Sequence, residues 1–290
     1  MNRIATPELP AAAPVAPRLG AAESDGQRRH PRLLRFARHS TDALADNKQH
    51  DYAHRFAISL YASQAIYSFI PKNACSTMRL SVAYANGAIT GPADFHWIHA
   101  NNETFMPTLR DLATARYTFV VLRDPFHRLV SCFLDKMVTG QIKPNFFSKP
   151  VGEAMTEDTL TFRKFVIGVK KRLNANGHWK PQTAFLVYED YDDWFAVEDF
   201  GRAVTTLERR IGLEVLDARP ISQHGKDRHQ PVDDRSHADT PVAEIAAMKA
   251  RRELPAFPTM FDDEIIAAVR SLYAEDIALY QHRIGLACAF

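Results

Sequence analysis

A lysine followed by small and hydroxyl-bearing residues is the first pattern in this chain that suggests chemistry. The segment IPKNACST, residues 70–77, follows an apolar stretch at 65–70 that predicts a strand, and residues 76–85 predict a helix opened by Ser76 or Thr77. Backbone N–H groups at a helix N-terminus, beside a lysine and two hydroxyls, favour a phosphate-like anion. The candidate anion-binding residues are Pro71, Lys72, Asn73, Ala74, Cys75, Ser76 and Thr77.

This turn taken alone also admits a plainer interpretation, in which Lys72 is a solvated loop lysine and Ser76 only caps the helix. The turn does not match the nucleoside-triphosphate pattern GxxxxGK[ST], because its lysine precedes the small residues instead of following them. An ordinary kinase or ATPase is therefore disfavoured.

An arginine after a second predicted strand adds another cation. In VVLRDPFHRLVSCFLDK, residues 120–136, the apolar strand at 117–122 ends before Arg123. Apolar residues at three- and four-residue spacing then predict a helix over 125–138, with proline in its first turn. Arg123 offers a planar fork to a phosphate, and Ser131 lies on the polar face of the helix.

The second segment also has a plainer interpretation. Arg123 can pair locally with Asp124, and Ser131 can be an ordinary exposed serine. The remaining charged side chains of this helix, Arg128, Asp135 and Lys136, are assigned mainly to a solvated face.

Strands and helices alternate along the chain, which predicts an α/β fold with a central parallel sheet flanked by helices on both faces. Further helices are expected at 103–115, at 160–172 and up to residue 211, with a strand at 194–197 before the last of these. Residues 220–241 predict a polar loop, and apolar residues from Phe261 to Ile284 predict one C-terminal helix. In such a sheet, ligands bind beyond the carboxyl ends of the strands, where both turns lie.

The length of 290 residues and the composition suit one folded domain over residues 49–290, preceded by a disordered or loosely docked tail over residues 1–48. Within the tail, LLRFA at 33–37 could form a short docked helix. The net charge of +2 gives no argument for nucleic acid. Three cysteines without a CxxC pair, and no visible signal or membrane-spanning segment, predict a cytoplasmic protein.

Together, IPKNACST and FVVLRDPFHRLVSCFLDK resemble the two cofactor-binding signatures of sulfotransferases that use 3′-phosphoadenosine 5′-phosphosulfate (PAPS). The match is closest to the carbohydrate branch, which includes the chondroitin and uronyl 2-O-sulfotransferases and bacterial relatives. HWKPQ at 178–182, the strand ending at Glu198, and LYAEDIALY at 272–280, which is similar to a C-terminal Y-x-x-D helix, fit as well. The resemblance covers roughly residues 66–285 and implies a P-loop-NTPase-like fold.

The resemblance also implies roles for individual residues. The turn from Lys72 to Thr77 would bind the 5′-phosphosulfate, and Arg123 with Ser131 would bind the 3′-phosphate. Sulfuryl transfer needs in-line positioning and stabilisation of charge on the leaving oxygen, which Lys72 would supply. The product would be 3′-phosphoadenosine 5′-phosphate (PAP), and no metal is required.

A histidine is suited to take the proton of the attacking hydroxyl. The segment FHWIH at 95–99 lies between the two signatures, so His99 is preferred as the base and His96 is second. His178 in GHWKPQ is the competing candidate. Trp97 and Trp179 could stack on a sugar ring or belong to the core.

The polar loop at 220–241 contains several histidines and basic residues without the spacing of a metal site. A basic flap is expected there instead, with Lys226 or Arg228 touching phosphate. The acceptor is expected to be a hydroxyl of a glycan or glycolipid, and a lipid-linked acceptor would bring the protein to a membrane surface. A nucleotide-dependent kinase and a nonenzymatic nucleotide- or glycan-binding module remain the alternatives.

Overall fold

The computed structural model describes residues 32–37, 40–41, 43–101, 103–222 and 229–290. Its main sheet has four strands in the order β1-β2-β3-β4. They are β1 Ala57–Leu60, β2 Ala65–Ser68, β3 Tyr117–Leu122 and β4 Asp193–Ala196. The strands β2, β3 and β4 run parallel, whereas β1 pairs antiparallel with β2.

The mixed sheet confirms a parallel arrangement for three strands and shows that the wholly parallel prediction is wrong at the β1 edge. Only residues 61–64 separate β1 from β2, and Gln64 adopts a left-handed φ of 53°. A parallel partner needs a crossover of roughly a dozen residues or more. Such a short connection therefore allows only a hairpin.

Helices cover both faces of the sheet, as expected. The α-helices of the described residues are α1 Lys48–His54, α2 Cys75–Ala85, α3 Trp97–Ala100, α4 Leu109–Thr114, α5 Pro125–Lys136, α6 Ser148–Val151, α7 Phe162–Lys171, α8 Phe200–Ile211, α9 Arg219–Ser222, α10 Val242–Ala250, α11 Asp263–Leu272 and α12 Ala274–Ile284. Short 3-10 helices lie at Leu44–Asp46, Pro92–Asp94, Pro144–Phe147, Gln182–Phe185, Val197–Asp199 and Phe257–Met260. None of the helices in the described ranges is long and apolar enough to cross a bilayer.

Side chains on the two faces of the sheet pack into two separate hydrophobic cores. Tyr67, Phe119 and Phe195 pack on one face with side chains of α2 and α8. Ile66 and Val120 pack on the other face with residues 185–191 and with Tyr280 of α12. Every residue of β3 is buried, which is the environment that its continuous apolar sequence predicts.

Three predicted elements differ from the structure. The helix expected over 103–115 is only α4, because Thr108 caps it by accepting from the Asp111 amide and Pro107 precedes this cap. The single C-terminal helix is divided into α11 and α12 at Tyr273. The polar loop at 220–241 contains a strand, β5 Gln230–Val232, which pairs with β6 Glu253–Pro255. Its partner is distant in sequence and its residues show no alternation, so periodicity could not reveal it.

The N-terminal residues 32–37 contact the body of the protein. Leu34 forms a β-bridge with Tyr188, and residues 35–37 form a turn, so no helix forms at LLRFA. Arg32 binds Asp192 at 2.7 Å. This part of the predicted tail therefore docks through a β-bridge followed by a turn.

Substitution of Gly168 in α7 tests how tightly this helix packs against Phe147. A Cβ atom at this position would lie 2.3 Å from Cδ1 of the buried Phe147. We expect Gly168→Ala to lower the free energy of unfolding by about 1–2 kcal/mol, since overpacking costs about 1–3 kcal/mol and the helical alanine returns up to about 1 kcal/mol. Urea unfolding measures the change.

Gly201 in α8 is the matched control, because a Cβ there meets no atom within 4 Å. Gly201→Ala should be neutral or slightly stabilising. Equal effects of the two substitutions would contradict the packing argument.

Candidate functional site

The lysine turn, residues 71–77, connects β2 to α2 at the carboxyl end of the sheet. Lys72 and Ala74 adopt left-handed φ values of 75° and 54°. Helix α2 begins at Cys75 with Ala74 at its N-cap, so the expected cap by Ser76 or Thr77 is wrong. Because alanine has no side-chain acceptor, no N-cap side chain accepts from the first amides of α2.

Asn73 has a different role from the expected one. Its backbone N–H donates to the Ile70 carbonyl at 3.1 Å, so this amide is committed to the turn and does not face a ligand. Its fully buried side chain donates to the Val121 carbonyl at 2.9 Å and to Gln182 Oε1 at 2.6 Å. Asn73 therefore anchors the lysine turn to the end of β3.

The arginine turn, residues 123–125, lies directly beside the lysine turn. Arg123 Nη1 donates to the Lys72 carbonyl at 2.9 Å. Burial lowers the pKa of Arg123, while the nearby carboxylates of Glu198 and Asp124 oppose that shift. Its Nε is buried and has no hydrogen-bond partner among the described residues. The two predicted anion-binding turns are thus brought together, with one guanidinium donor available.

One face of α5 contacts the lysine turn. Arg128, Ser131 and Asp135 recur at three- and four-residue spacing and so share this face. Arg128 Nε donates to the Pro71 carbonyl at 3.1 Å, and Asp135 Oδ2 accepts from Lys72 Nζ at 2.8 Å. The half-buried Ser131 lies between these two contacts along the helix.

The predicted solvated face is therefore wrong for Arg128 and Asp135, which are 2% and 7% exposed. Arg128 also donates from Nη1 to the Lys180 carbonyl at 2.8 Å and from Nη2 to the Gly177 carbonyl at 3.2 Å. Three carbonyl partners from two segments compensate the burial of this guanidinium. Lys136 is partly buried as well and lies 3.1 Å from Asp135.

His178 lies near enough to Lys72 for the charge of that lysine to act on it. Its Nδ1 and its backbone N–H both face Asn176 Oδ1, at 2.8 and 2.9 Å. Burial, with the positive charges of Lys136 and Lys72, lowers the pKa of His178 to about 3. The imidazole is therefore neutral near pH 7, and a proton on Nδ1 leaves the Nε2 lone pair available.

The other two histidine candidates lie in and beside α3. Both His99 and His96 are exposed, and the His99 ring packs against Phe95 at 5.1 Å between centroids. His96 and Trp97 line a shallow pocket of about 500 Å³ near the end of α2. Helix α3 is held to α2 by a hydrogen bond from Arg79 to the Ile98 carbonyl.

The segment HWKPQ is held by the C-terminal helices. Tyr273 Oη donates to the Trp179 carbonyl at 2.6 Å, and Asp276 accepts from the amides of Gln182 and Thr183 at 2.7 and 3.1 Å. Burial raises the pKa of Asp276, although Arg128 and the two amides favour its charged form. The Y-x-x-D pattern is thus a brace for the segment that carries His178.

The two tryptophans lie in different environments. Trp179 is fully buried and donates to the Arg172 carbonyl at 3.0 Å, so it belongs to the core, whereas Trp97 is partly exposed. Lys226 and Arg228 lie outside the described residues. Within the described ranges, no group of three His, Cys, Asp or Glu side chains could hold a metal ion.

The sequence prediction missed three residues that shape the site: Arg128, Asp135 and Gln182. The first two share a face with Ser131, so helical spacing alone could have identified them. Gln182 lies in the quoted HWKPQ segment, but no pattern indicates that its amide meets two distant turns.

The brace can be tested with Asp276→Asn. An asparagine oxygen can accept from one amide, but its NH₂ group would face the other N–H, so we expect a loss of about 1–3 kcal/mol in the free energy of unfolding. Thermal unfolding and hydrogen exchange at residues 182 and 183 measure it. The exposed neighbour Glu275→Gln is the control and should change neither. Unchanged exchange in Asp276→Asn would contradict this role.

Comparison with known proteins agrees with this geometry. The profile of the sulfotransferase family matches residues 61–283, well over half of the 290-residue chain. Searches of curated proteins and of solved structures found no match. Both turns and the braced segment lie inside the matched range, and the chain belongs to the sulfotransferase family.

Proposed function

We propose that this protein transfers a sulfuryl group from PAPS to a hydroxyl of a carbohydrate or glycolipid, on a P-loop-like sheet. The observation that carries the proposal is the contact between Arg123 and the Lys72 carbonyl, at 2.9 Å, which places two cationic turns side by side. A donor with anionic groups at both ends of an adenosine fits such a pair. The buried Nε of Arg123 is a donor that an anion would satisfy.

Different residues of the chain bind the two ends of the donor. Lys72 and the first amides of α2 hold the 5′ side, where PAPS when bound supplies the sulfuryl group. Arg123 and Ser131 hold the 3′-phosphate. The fixed positions of these donors stabilise charge on the leaving oxygen without reorganisation. Cys75, Ser76 and Thr77 contribute through their position in the first turn of α2.

His178 is the base that the geometry favours, ahead of His99 and His96. It lies among Lys72, Lys136 and Asp135, close enough for their charges to act on it. Asn176 orients the ring through Nδ1, and Nε2 takes the proton of the acceptor hydroxyl. The oxygen of that hydroxyl bonds to sulfur as the bond between sulfur and the 5′-phosphate oxygen breaks, and PAP leaves. His99, the first choice from sequence, remains the comparison in the tests.

Binding of the product PAP tests the cofactor assignment. PAP should raise the melting temperature of the wild type, whereas ATP with magnesium should not. Lys72→Ala and Arg123→Ala should each weaken PAP binding at least about tenfold, since each removes a partly buried charge. The exposed Arg110→Ala is the control. Stronger stabilisation by ATP would favour a kinase.

Transfer of labelled sulfate from PAPS to a panel of oligosaccharides and glycolipids tests the reaction. His178→Ala should reduce turnover by about 10²-fold with little change in PAP affinity, the lower end of what a general base contributes, because the lowered pKa makes this imidazole a weak base. His99→Ala should retain activity. The reverse result would identify His99 as the base, and PAP binding without transfer to any acceptor would favour a binding module.

The pH dependence separates the candidates independently. Because the lowered pKa of His178 is about 3, this base is neutral at all pH values above that range. We therefore expect kcat/KM to stay level as pH falls from 8 to about 5, since kcat/KM reports the free enzyme. A decline centred near about 6.5, the ordinary histidine value, would contradict a base in this environment.

A further inference from the structure

Asp135 is a single carboxylate shared by two lysines. Its Oδ2 lies 2.8 Å from Lys72 Nζ and 3.1 Å from Lys136 Nζ. The three side chains are only 11%, 15% and 8% exposed for Lys72, Lys136 and Asp135. At this burial an ion pair is screened far less than one at the surface.

A third lysine adds to the excess of positive charge. Lys249 lies in α10 at helical spacing from the buried Val242 and Ile245, so it shares their inward face. Burial lowers the pKa of Lys249, Asp135 opposes this shift, and Lys72 reinforces it. Nearby Arg128 donates to the carbonyl oxygens of Pro71, Lys180 and Gly177. Among the described residues, the two lysines paired with Asp135, with Lys249 near enough for their charges to act on it, therefore give this region more positive than negative charge.

The backbone and the side chain of Lys72 are held by different partners. Its carbonyl is fixed by Arg123, whereas its ammonium is held by Asp135. The flexible stem of a lysine allows the ammonium to move while the turn keeps its shape. Lys136 also contacts Gln141 Oε1 at 2.6 Å, which keeps this second ammonium near Asp135.

We propose that Asp135 is a positioning residue that acts as a shared counter-ion. Asp135 holds Lys72 while no donor is bound, and Lys136 neutralises Asp135 when Lys72 turns to the donor. This inference rests on the proposed function. Removing one partner of a buried ion pair is costly, because the other charge is left uncompensated. Because Lys136 stays paired with Asp135, the carboxylate is not left uncompensated when the Lys72 ammonium leaves it. The Lys72 ammonium can therefore move from Asp135 to a phosphosulfate.

Two opposite effects on donor affinity follow. Asp135 competes with the ligand for Lys72, so its loss should tighten binding. Lys136 assists the release of Lys72 without touching the ligand, so its loss should weaken binding. The weaker binding caused by loss of Lys136 requires the charge of Asp135, so it should disappear when Asp135 is replaced by a neutral residue. Ordinary long-range attraction between Lys136 and an anion would persist in both backgrounds.

A double-mutant cycle separates these cases. PAP affinity is measured by titration calorimetry for wild type, Asp135→Asn, Lys136→Met and the double variant. We expect about 3- to 10-fold tighter binding for Asp135→Asn and about 3- to 10-fold weaker binding for Lys136→Met. In the Asp135→Asn background, Lys136→Met should change affinity less than about twofold. Additive effects, or weaker binding by Asp135→Asn, would overturn the inference.

Controls keep the result specific. The exposed pair Asp158→Asn and Lys170→Met gives matched charge changes away from the site and should leave PAP affinity unchanged. Melting temperatures establish that each variant is folded, and Asp135→Ser replaces Asp135→Asn if the latter is not. If the wild type does not bind PAP, the proposed function fails and the inference with it. If it binds and the cycle is additive, only the inference fails.

Discussion

The amide of Gln182 is the contact on which the geometry of the site depends. Its Oε1 accepts from Asn73 Nδ2 at 2.6 Å and from the Arg123 amide at 3.0 Å, and its Nε2 donates to the Arg123 carbonyl at 2.8 Å. One fully buried side chain thereby joins both turns. Buried amides of this kind have few alternative partners, so the network favours one arrangement of the two cations.

Around the Gln182 amide, several charged side chains are buried inside the protein. Arg128 donates hydrogen bonds to three carbonyl oxygens. Asp124 accepts from the amides of Phe126, His127 and Ala289. Glu198 links the Asp124 amide to Tyr280 Oη at 3.3 and 3.0 Å. These contacts fix the start of α5 and thus the direction of the arginine turn. Rigid support of this kind is what a site for anionic ligands needs.

The sequence predicted the parts of the fold that local pattern determines. The strand 117–122 and the proline start of α5 agree with the structure, because a continuous apolar run and helical spacing are strong signals. The meeting of Lys72 and Arg123 also followed, since turns after adjacent parallel strands lie at one edge of the sheet. The resemblance of the two segments to sulfotransferase signatures agrees with the family match.

What the sequence did not reveal depends on contacts between distant segments. The short β1 hairpin and the β5–β6 pairing carry no periodicity, and the break at Tyr273 lies within a continuous apolar pattern. Charged residues on α5 were assigned to solvent because polarity usually indicates exposure. Their burial follows from partners at residues 71, 72, 177 and 180, which no local window contains.

The brace from Asp276 also bears on biosynthesis. Its carboxylate receives amides that are 94 and 93 positions earlier in the chain. A ribosome releases the N-terminal part of a chain first, so both the lysine turn and the arginine turn emerge while their support is still being made. A nascent chain can thus form the sheet early, but the segment that carries His178 is secured only when α11 and α12 leave the exit tunnel.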